Sequence, residues 1–260
     1  MSQQHPGLYA PINGLQLYYE LHGKGTPLVL LHGGGSTIQS TYGQVISLFA
    51  AHHQVIAVEL QAHGHTSDRN TELTFEQDAD DVAALLAYLK IEKAHIMGFS
   101  NGGTTALQFA IRHPERIIRL IAASALYRRD GMMPGFFDGF EGAELSHMPT
   151  LLVEAYLEAN PNQSGLQAMF NRDVARMKGF KDIPDELIAS IKAPTFVVNG
   201  ATDVVLPEHA IRLSRAINGS ELLIAPGGHG DYIAEIYYRN PENKLAAHIV
   251  PILLDFLEKE

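Results

Sequence analysis

Short, almost uninterrupted apolar runs recur along the chain: Pro27–Leu31, Gln54–Leu60, Ala94–Phe99, Ile117–Ala125, Pro194–Val198 and Glu221–Ala225. A strand that is apolar at every position has both faces covered, which is the condition of a parallel sheet lying between helical layers. Segments with helical spacing fall between these runs. In Thr74–Leu89 the side chains of Val82, Leu85, Leu86 and Leu89 share one face, and acids crowd the first turns, where the helix dipole favours them. Thr74 is expected to cap this helix in a capping box with Gln77. Asn101–His113 reads as a helix stopped by Pro114, and Pro207–Ile217 as one with Gly219 just past its end. A last helix is expected over Asn243–Glu258, kinked or restarted at Pro251. Near the start, Tyr9–Ile12 and Leu15–Leu21 flank Asn13-Gly14, the dipeptide that suits a type I′ hairpin turn. Strands alternating with helices predict the α/β class, with a doubly wound, mainly parallel sheet.

One stretch breaks the alternation. From Tyr127 to about Lys192 no strand is evident, while Thr150–Ala159 and Gly165–Lys178 have helical character and Met and Phe are dense. It reads as a helical cap inserted at about 127–192 in a single domain spanning 1–260. These Met and Phe side chains are expected mostly to pack the insertion onto the sheet, with the remainder roofing an apolar site. A chain of this length buries a sizeable core without staples, and its 46% hydrophobic and 18% charged residues are ordinary for a globular protein. The absence of cysteine removes thiolate nucleophiles, thiolate zinc sites and disulfides. A formal net charge of −10 argues against a nucleic-acid partner. No run of 18 apolar residues suggests a membrane span, and Met1–Ala10 lacks the pattern of a signal peptide, so the expected location is cytoplasmic.

The chemistry concentrates at a few turns. Ala94–Phe99 runs into Gly98-Phe99-Ser100-Asn101-Gly102, a G-x-S-x-G pattern between an apolar strand and a helix. A residue at the tip of so sharp a turn needs neighbours almost free of side chain, which Gly98 and Gly102 supply. Ser100 is therefore the expected nucleophile. A serine hydroxyl needs a base, and the base needs a carboxylate to orient it. Asp203 follows the run Pro194–Val198, and His229 follows Glu221–Ala225 in a glycine-rich loop, in the order serine, acid, histidine. Asp231, two residues from His229, would need a sharp local fold to serve as the acid. The other histidines, such as His113 and His209, are expected mainly at the surface or at helix ends. After the first parallel run comes His32-Gly33-Gly34-Gly35-Ser36, where the Gly34 N–H, together with the Asn101 N–H, is expected to form an oxyanion hole, with Gly33 a further contributor. His32 is expected to be a structural hydrogen-bonder beneath that loop.

These residues carry a resemblance. The chain resembles the α/β-hydrolase superfamily, in particular its compact esterase, lactonase, haloperoxidase-like and carbon–carbon hydrolase branch. His32-Gly33-Gly34 is similar to the family's oxyanion loop, Gly98–Gly102 to its nucleophile elbow, Asn199–Asp203 with Pro207 to its acid loop and Gly228-His229 to its histidine loop. Ala62–Ser67 is similar to the turn after the next strand, although Glu59 and Gln61-Ala62 depart from the usual Asp and Pro-Gly there. The resemblance implies acyl transfer by Ser100, His229 and Asp203 on a small ester or lactone, with no cofactor or metal. Small glycines after His32 suggest room for a bulky ester at Gly34. Serine at the nucleophile position speaks against dehalogenase and epoxide hydrolase chemistry. Carbon–carbon hydrolysis and a catalytically silent receptor remain alternatives, as does a metallohydrolase built on His63, His65 and Asp68 with weaker support. A homodimer is left open.

Overall fold

The computed structural model describes residues 7–236, 242 and 244–259. Met1–Pro6 of the amino-terminal stretch, and Asn243, the expected first residue of the last helix, lie outside the described residues. The strands are β1 (Leu8–Ile12), β2 (Leu15–His22), β3 (Pro27–Leu31), β4 (Gln54–Val58), β5 (Ala94–Phe99), β6 (Ile117–Ala123), β7 (Thr195–Gly200) and β8 (Glu221–Ala225). The α-helices are α1 (Ile38–Tyr42), α2 (Ile46–Ala50), α3 (Phe75–Tyr88), α4 (Asn101–Arg112), α5 (Thr150–Ala159), α6 (Gln163–Lys178), α7 (Asp185–Ala189), α8 (Pro207–Ala216) and α9 (Leu245–Leu257).

The strands form one sheet in the order β1-β2-β4-β3-β5-β6-β7-β8. β1 and β2 form an antiparallel hairpin, β2 pairs antiparallel with β4, and from β4 to β8 every pairing is parallel. The hairpin turns at Asn13 and Gly14, both with positive φ. In β3 the side chains of Val29 and Leu31 enter one core and those of Leu28 and Leu30 the other. That two-sided burial accounts for the unbroken apolar reading of the strand. Helices α3, α4 and α8 contribute Val82, Leu107 and Leu213 to the first core, and α1, α2 and α9 contribute Tyr42, Phe49 and Leu253 to the second.

Thr74 caps α3 by accepting the Gln77 N–H. The capping box is only half made, because the Gln77 side chain donates to Asp81 at 3.0 Å instead of returning to Thr74. Asp81 also takes Arg69 and Asn13, and the charge-assisted bond to this carboxylate draws the Gln77 amide forward, away from the Thr74 N–H that its oxygen would have to accept. The α9 helix runs through Pro251 without a restart. Pro251 is exposed, so its ring and its missing N–H face water, where they cost least.

The loop after β3 and the turn after β5 open at the same carboxyl edge, on neighbouring strands whose onward connections diverge. This is the switch point at which open α/β sheets bind ligands. The fit there leaves no spare space: a Cβ on Gly98 would lie 1.9 Å from the Gly102 carbonyl oxygen, and one on Gly102 would lie 2.3 Å from that of Leu31. Gly98→Ala is therefore expected to cost about 3 kcal/mol or more in urea denaturation, at or beyond the upper end of overpacking penalties. Gly139→Ala, where a Cβ meets nothing within 4 Å, should stay within about 0.5 kcal/mol of wild type. Similar losses at both positions would contradict the packing argument.

Candidate active site

Ser100 sits between β5 and α4 with φ 55 and ψ −119, a region that non-glycine residues enter only under compulsion. The compulsion is the close backbone approach of Gly98 and Gly102. Ser100, Asn101, Gly34 and His229 all line one cavity of about 330 Å³. Asp203 lies beneath it, its side chain fully buried, with Oδ1 2.7 Å from His229 Nδ1. A carboxylate oxygen only accepts, so Nδ1 carries a proton and donates it to Asp203.

Asp203 is held from all sides. Val205 N–H donates to Oδ1 at 2.9 Å, while the Ser124 hydroxyl at 2.6 Å and the Gly200 N–H at 3.3 Å donate to Oδ2. With the Ser124 proton committed to Asp203, the Tyr232 hydroxyl donates to Ser124 Oγ at 2.6 Å. Burial pushes the Asp203 carboxyl up, but His229, Ser124 and Val205 outweigh it and hold it below the ordinary carboxylate range. Ser124 and Tyr232 had no sequence signal beyond Ser124 following an apolar strand. Asp231 turns away from this role and accepts the Gly228 N–H at 2.7 Å, which shapes the histidine loop.

In the glycine loop, Gly33 N–H reaches Thr41 Oγ1 at 3.5 Å and Gly35 N–H donates to Asp173 Oδ2 at 2.6 Å. The Gly34 N–H between them has no such acceptor among the described residues. Asn101 opens α4, where N–H groups have no acceptor inside the helix. His32 lies under the loop. Leu60 N–H donates to its Nε2 at 3.0 Å, so the proton sits on Nδ1, which donates to Gly33 O at 2.8 Å. Burial and the neighbouring His63 push His32 down to about 3, which keeps it neutral.

The room expected at Gly34 is not there. A Cβ at this position would meet Asn101 Nδ2 at 2.3 Å and Asp173 Oδ2 at 3.4 Å. The space that the glycine vacates is filled by those two side chains. Most of the other described histidines do lie at the surface or partly exposed, with His113 at the end of α4, but His209 is buried, as are His53, His63 and His95. His209 Nε2 accepts the Tyr127 N–H, and burial pushes it down to about 4. His63 and His65 part company, the first going to Gln61 O and Asp173, the second to Glu59. Asp68 pairs with Arg172.

Over the cavity lies the segment between β6 and β7. Most of its Met and Phe side chains pack as expected, Met132, Met177 and Phe180 in one cluster with Phe75 and Leu126 and Met169 in another with Ala62, and all but Met133, Phe137 and Phe180 also line the cavity. Amid these apolar groups α6 lowers a carboxylate, Asp173, whose partners are Gly35, His63 and Arg176. Burial opposes its charge, yet His63, Arg176 and the Gly35 N–H hold the Asp173 carboxyl far below its ordinary range. Both His63 partners, Gln61 O and Asp173, only accept, so both ring nitrogens carry protons. His63 is accordingly raised above the ordinary imidazole value, against its burial, by Asp173. Asp173 was missed in the sequence, where the available signal was an i,i+3 Asp–Arg pair inside a Met- and Phe-rich segment.

A family model described as alpha/beta hydrolase fold matches residues 26–181. The human protein named serine hydrolase BPHL is 28% identical over 250 residues, covering 90% of this chain and 83% of that protein. A solved structure of an N-acyl homoserine lactone degrading enzyme superposes with a TM-score of 0.75 at 25% identity, covering 96% of this chain and all of the other. A meta-cleavage product hydrolase superposes with a TM-score of 0.80 at 22% identity, covering 99% of this chain and all of the other, a likeness of fold.

Ser124→Ala would remove one of the donors that hold Asp203 ionised and leave Tyr232 without its acceptor. It should cost about 1.5–3 kcal/mol at pH 7, the range for hydrogen bonds to charged groups. A lowered folded-state carboxyl contributes stability above its unfolded value and loses it as pH falls through the folded one. The gap between wild type and Ser124→Ala should thus be full at neutral pH and narrow below the ordinary carboxylate range, as read by urea denaturation from pH 7 to pH 3. A gap that widens on acidification would contradict this electrostatic role.

Proposed function

The chain belongs to the α/β-hydrolase family, and from that premise we propose that it is a serine hydrolase of neutral carboxylic esters, lactones included, working through an acyl-enzyme. The observation that carries this reading is the His229–Asp203 contact of 2.7 Å beneath the cavity that Ser100 enters from its strained turn. Ser100 Oγ attacks the carbonyl carbon and His229 takes its proton. The oxygen gathers negative charge against the Gly34 and Asn101 N–H groups, with the start of α4 adding its positive dipole end. The imidazolium, stabilised by Asp203, returns the proton to the departing alcohol. Water, deprotonated by the same imidazole, then releases the acid and restores Ser100.

The cavity wall supports a neutral substrate. Among the described residues its lining includes the carboxylates Asp173 and Glu235 and no Lys or Arg. A substrate bearing its own carboxylate, such as a dienoic acid taken by a carbon–carbon hydrolase, would enter beside these carboxylates with no described Lys or Arg in the wall to receive it. The apolar roof of Met148, Leu152, Met169 and Phe170 suits an acyl chain or an aromatic ring. The residues 127–192 act in this reading as a cap on a single domain. No described helix is long and apolar enough to cross a membrane.

Release of p-nitrophenol from acetate, butyrate and octanoate esters tests the reading, with wild type and Ser100→Ala compared with and without a chelator. Wild type should turn over the short esters irrespective of chelator, and Ser100→Ala should fall by about 10³-fold or more. Full activity in Ser100→Ala, or none in wild type on any ester, would overturn the assignment.

A further inference from the structure

Three consecutive glycines give the loop after β3 wide conformational freedom, yet an oxyanion donor must point in one direction to be useful. The turn is closed by Ser36 N–H to Gly33 O at 3.3 Å, with Gly35 at φ +66. Such a turn alone fixes its central peptide plane weakly. The Gly35 N–H, which belongs to that plane, donates to a side chain 138 residues away, Asp173 Oδ2, at 2.6 Å.

Asp173 is itself anchored from the core. His63 Nε2, in the turn after β4, donates to Oδ2 at 3.0 Å, and Arg176 donates to Oδ1 at 2.6 Å. Arg176 reaches on to Asp78 of α3 at 2.8 Å and lies over the Phe75 ring. The side chains of His63, Arg176 and Asp78 are almost wholly buried. So dense a charged cluster stabilises little relative to apolar packing, but it admits only one geometry, since any displacement strands a buried charge.

We propose that Asp173 is a positioning residue. From the helix above the cavity it clamps the Gly34–Gly35 peptide, and this completes the hold on the preceding peptide, whose carbonyl, Gly33 O, takes His32 Nδ1 and whose N–H is the Gly34 donor at the oxyanion. The inference rests on the ester-hydrolase reading for the role of Gly34, whereas the clamp itself stands on geometry alone. The hole is thus shared between the sheet edge and the segment over it. Loosening α6 would disable chemistry as well as open the pocket.

The test compares wild type, Asp173→Ala, Asp173→Asn and Arg172→Ala. Arg172 also ties α6 to the core, through Asp68, but touches neither the cavity nor the glycine loop. Asn keeps an oxygen for Gly35 while losing the charge that Arg176 meets; Ala loses both. Hydrolysis of p-nitrophenyl acetate, too small to need the roof, should show kcat down at least tenfold in Asp173→Ala with KM within about threefold. Asp173→Asn should recover a clear part of that loss, and Arg172→Ala should match wild type. In hydrogen exchange, the peptide covering 33–36 should exchange at least tenfold faster in Asp173→Ala and not in Arg172→Ala. Unchanged exchange and kcat in Asp173→Ala, equal losses in Ala and Asn, or an Arg172→Ala defect as large as that of Asp173→Ala would overturn the clamp. Wild type inactive on the ester, with exchange still accelerated in Asp173→Ala, would overturn the hydrolase reading and leave the clamp standing.

Discussion

The Gly102 and Leu31 carbonyl oxygens occupy the places where side chains at positions 98 and 102 would have to go. That close approach of β5, α4 and the end of β3 forces Ser100 into a backbone conformation it would not choose. It also brings the glycine loop after β3 beside the start of α4. The serine, the N–H groups and the cavity floor all depend on this one crowding of backbone. The strain is sustained because two fully buried cores flank the sheet and hold its strands in register.

Around that frame the ionisable groups sort into two sets. Beneath the cavity, Asp203 collects donors from Gly200 of β7, from Val205 beyond it and from Ser124 after β6, whose own hydroxyl is held by Tyr232, so that its charge and its orientation toward His229 are fixed together. Above it, Asp173 comes down from α6 and meets His63 and Arg176. Each is a buried carboxylate kept ionised by named partners, and each orients a neighbour rather than standing alone. Between them most of the cavity wall is apolar, broken by a few polar groups such as Ser100, His229, Asp173 and Glu235, and that setting strengthens the charge interactions inside it.

Much of the fold was readable because the apolar runs report two-sided burial directly, and β3, β5 and β8 begin and end where the pattern put them. Strand ends were less legible. β4 stops at Val58 because Leu60 N–H goes to His32 rather than along the strand. Ser100, Asp203 and His229 stood out through glycine-flanked turns at strand ends, and the structure brings Ser100 and His229 to one cavity with Asp203 beneath it. Ser124, Tyr232 and Asp173 did not, because their significance lies in partners 79, 108 and 138 residues distant. The burial of His209 and His63 was illegible for the same reason: each is held by a remote partner, Tyr127 N–H and Asp173, that no local pattern encodes. The expected space at Gly34 was read from one residue's size, when Asn101 and Asp173 decide it.

The most direct test of the central claim, that Ser100 is an activated nucleophile, is covalent labelling with a fluorophosphonate followed by peptide mass spectrometry. The expected result is a single adduct on Ser100 in wild type, forming at least 10³-fold more slowly in His229→Ala, in keeping with loss of a triad member. No adduct at Ser100, or an adduct that forms equally fast without His229, would contradict it.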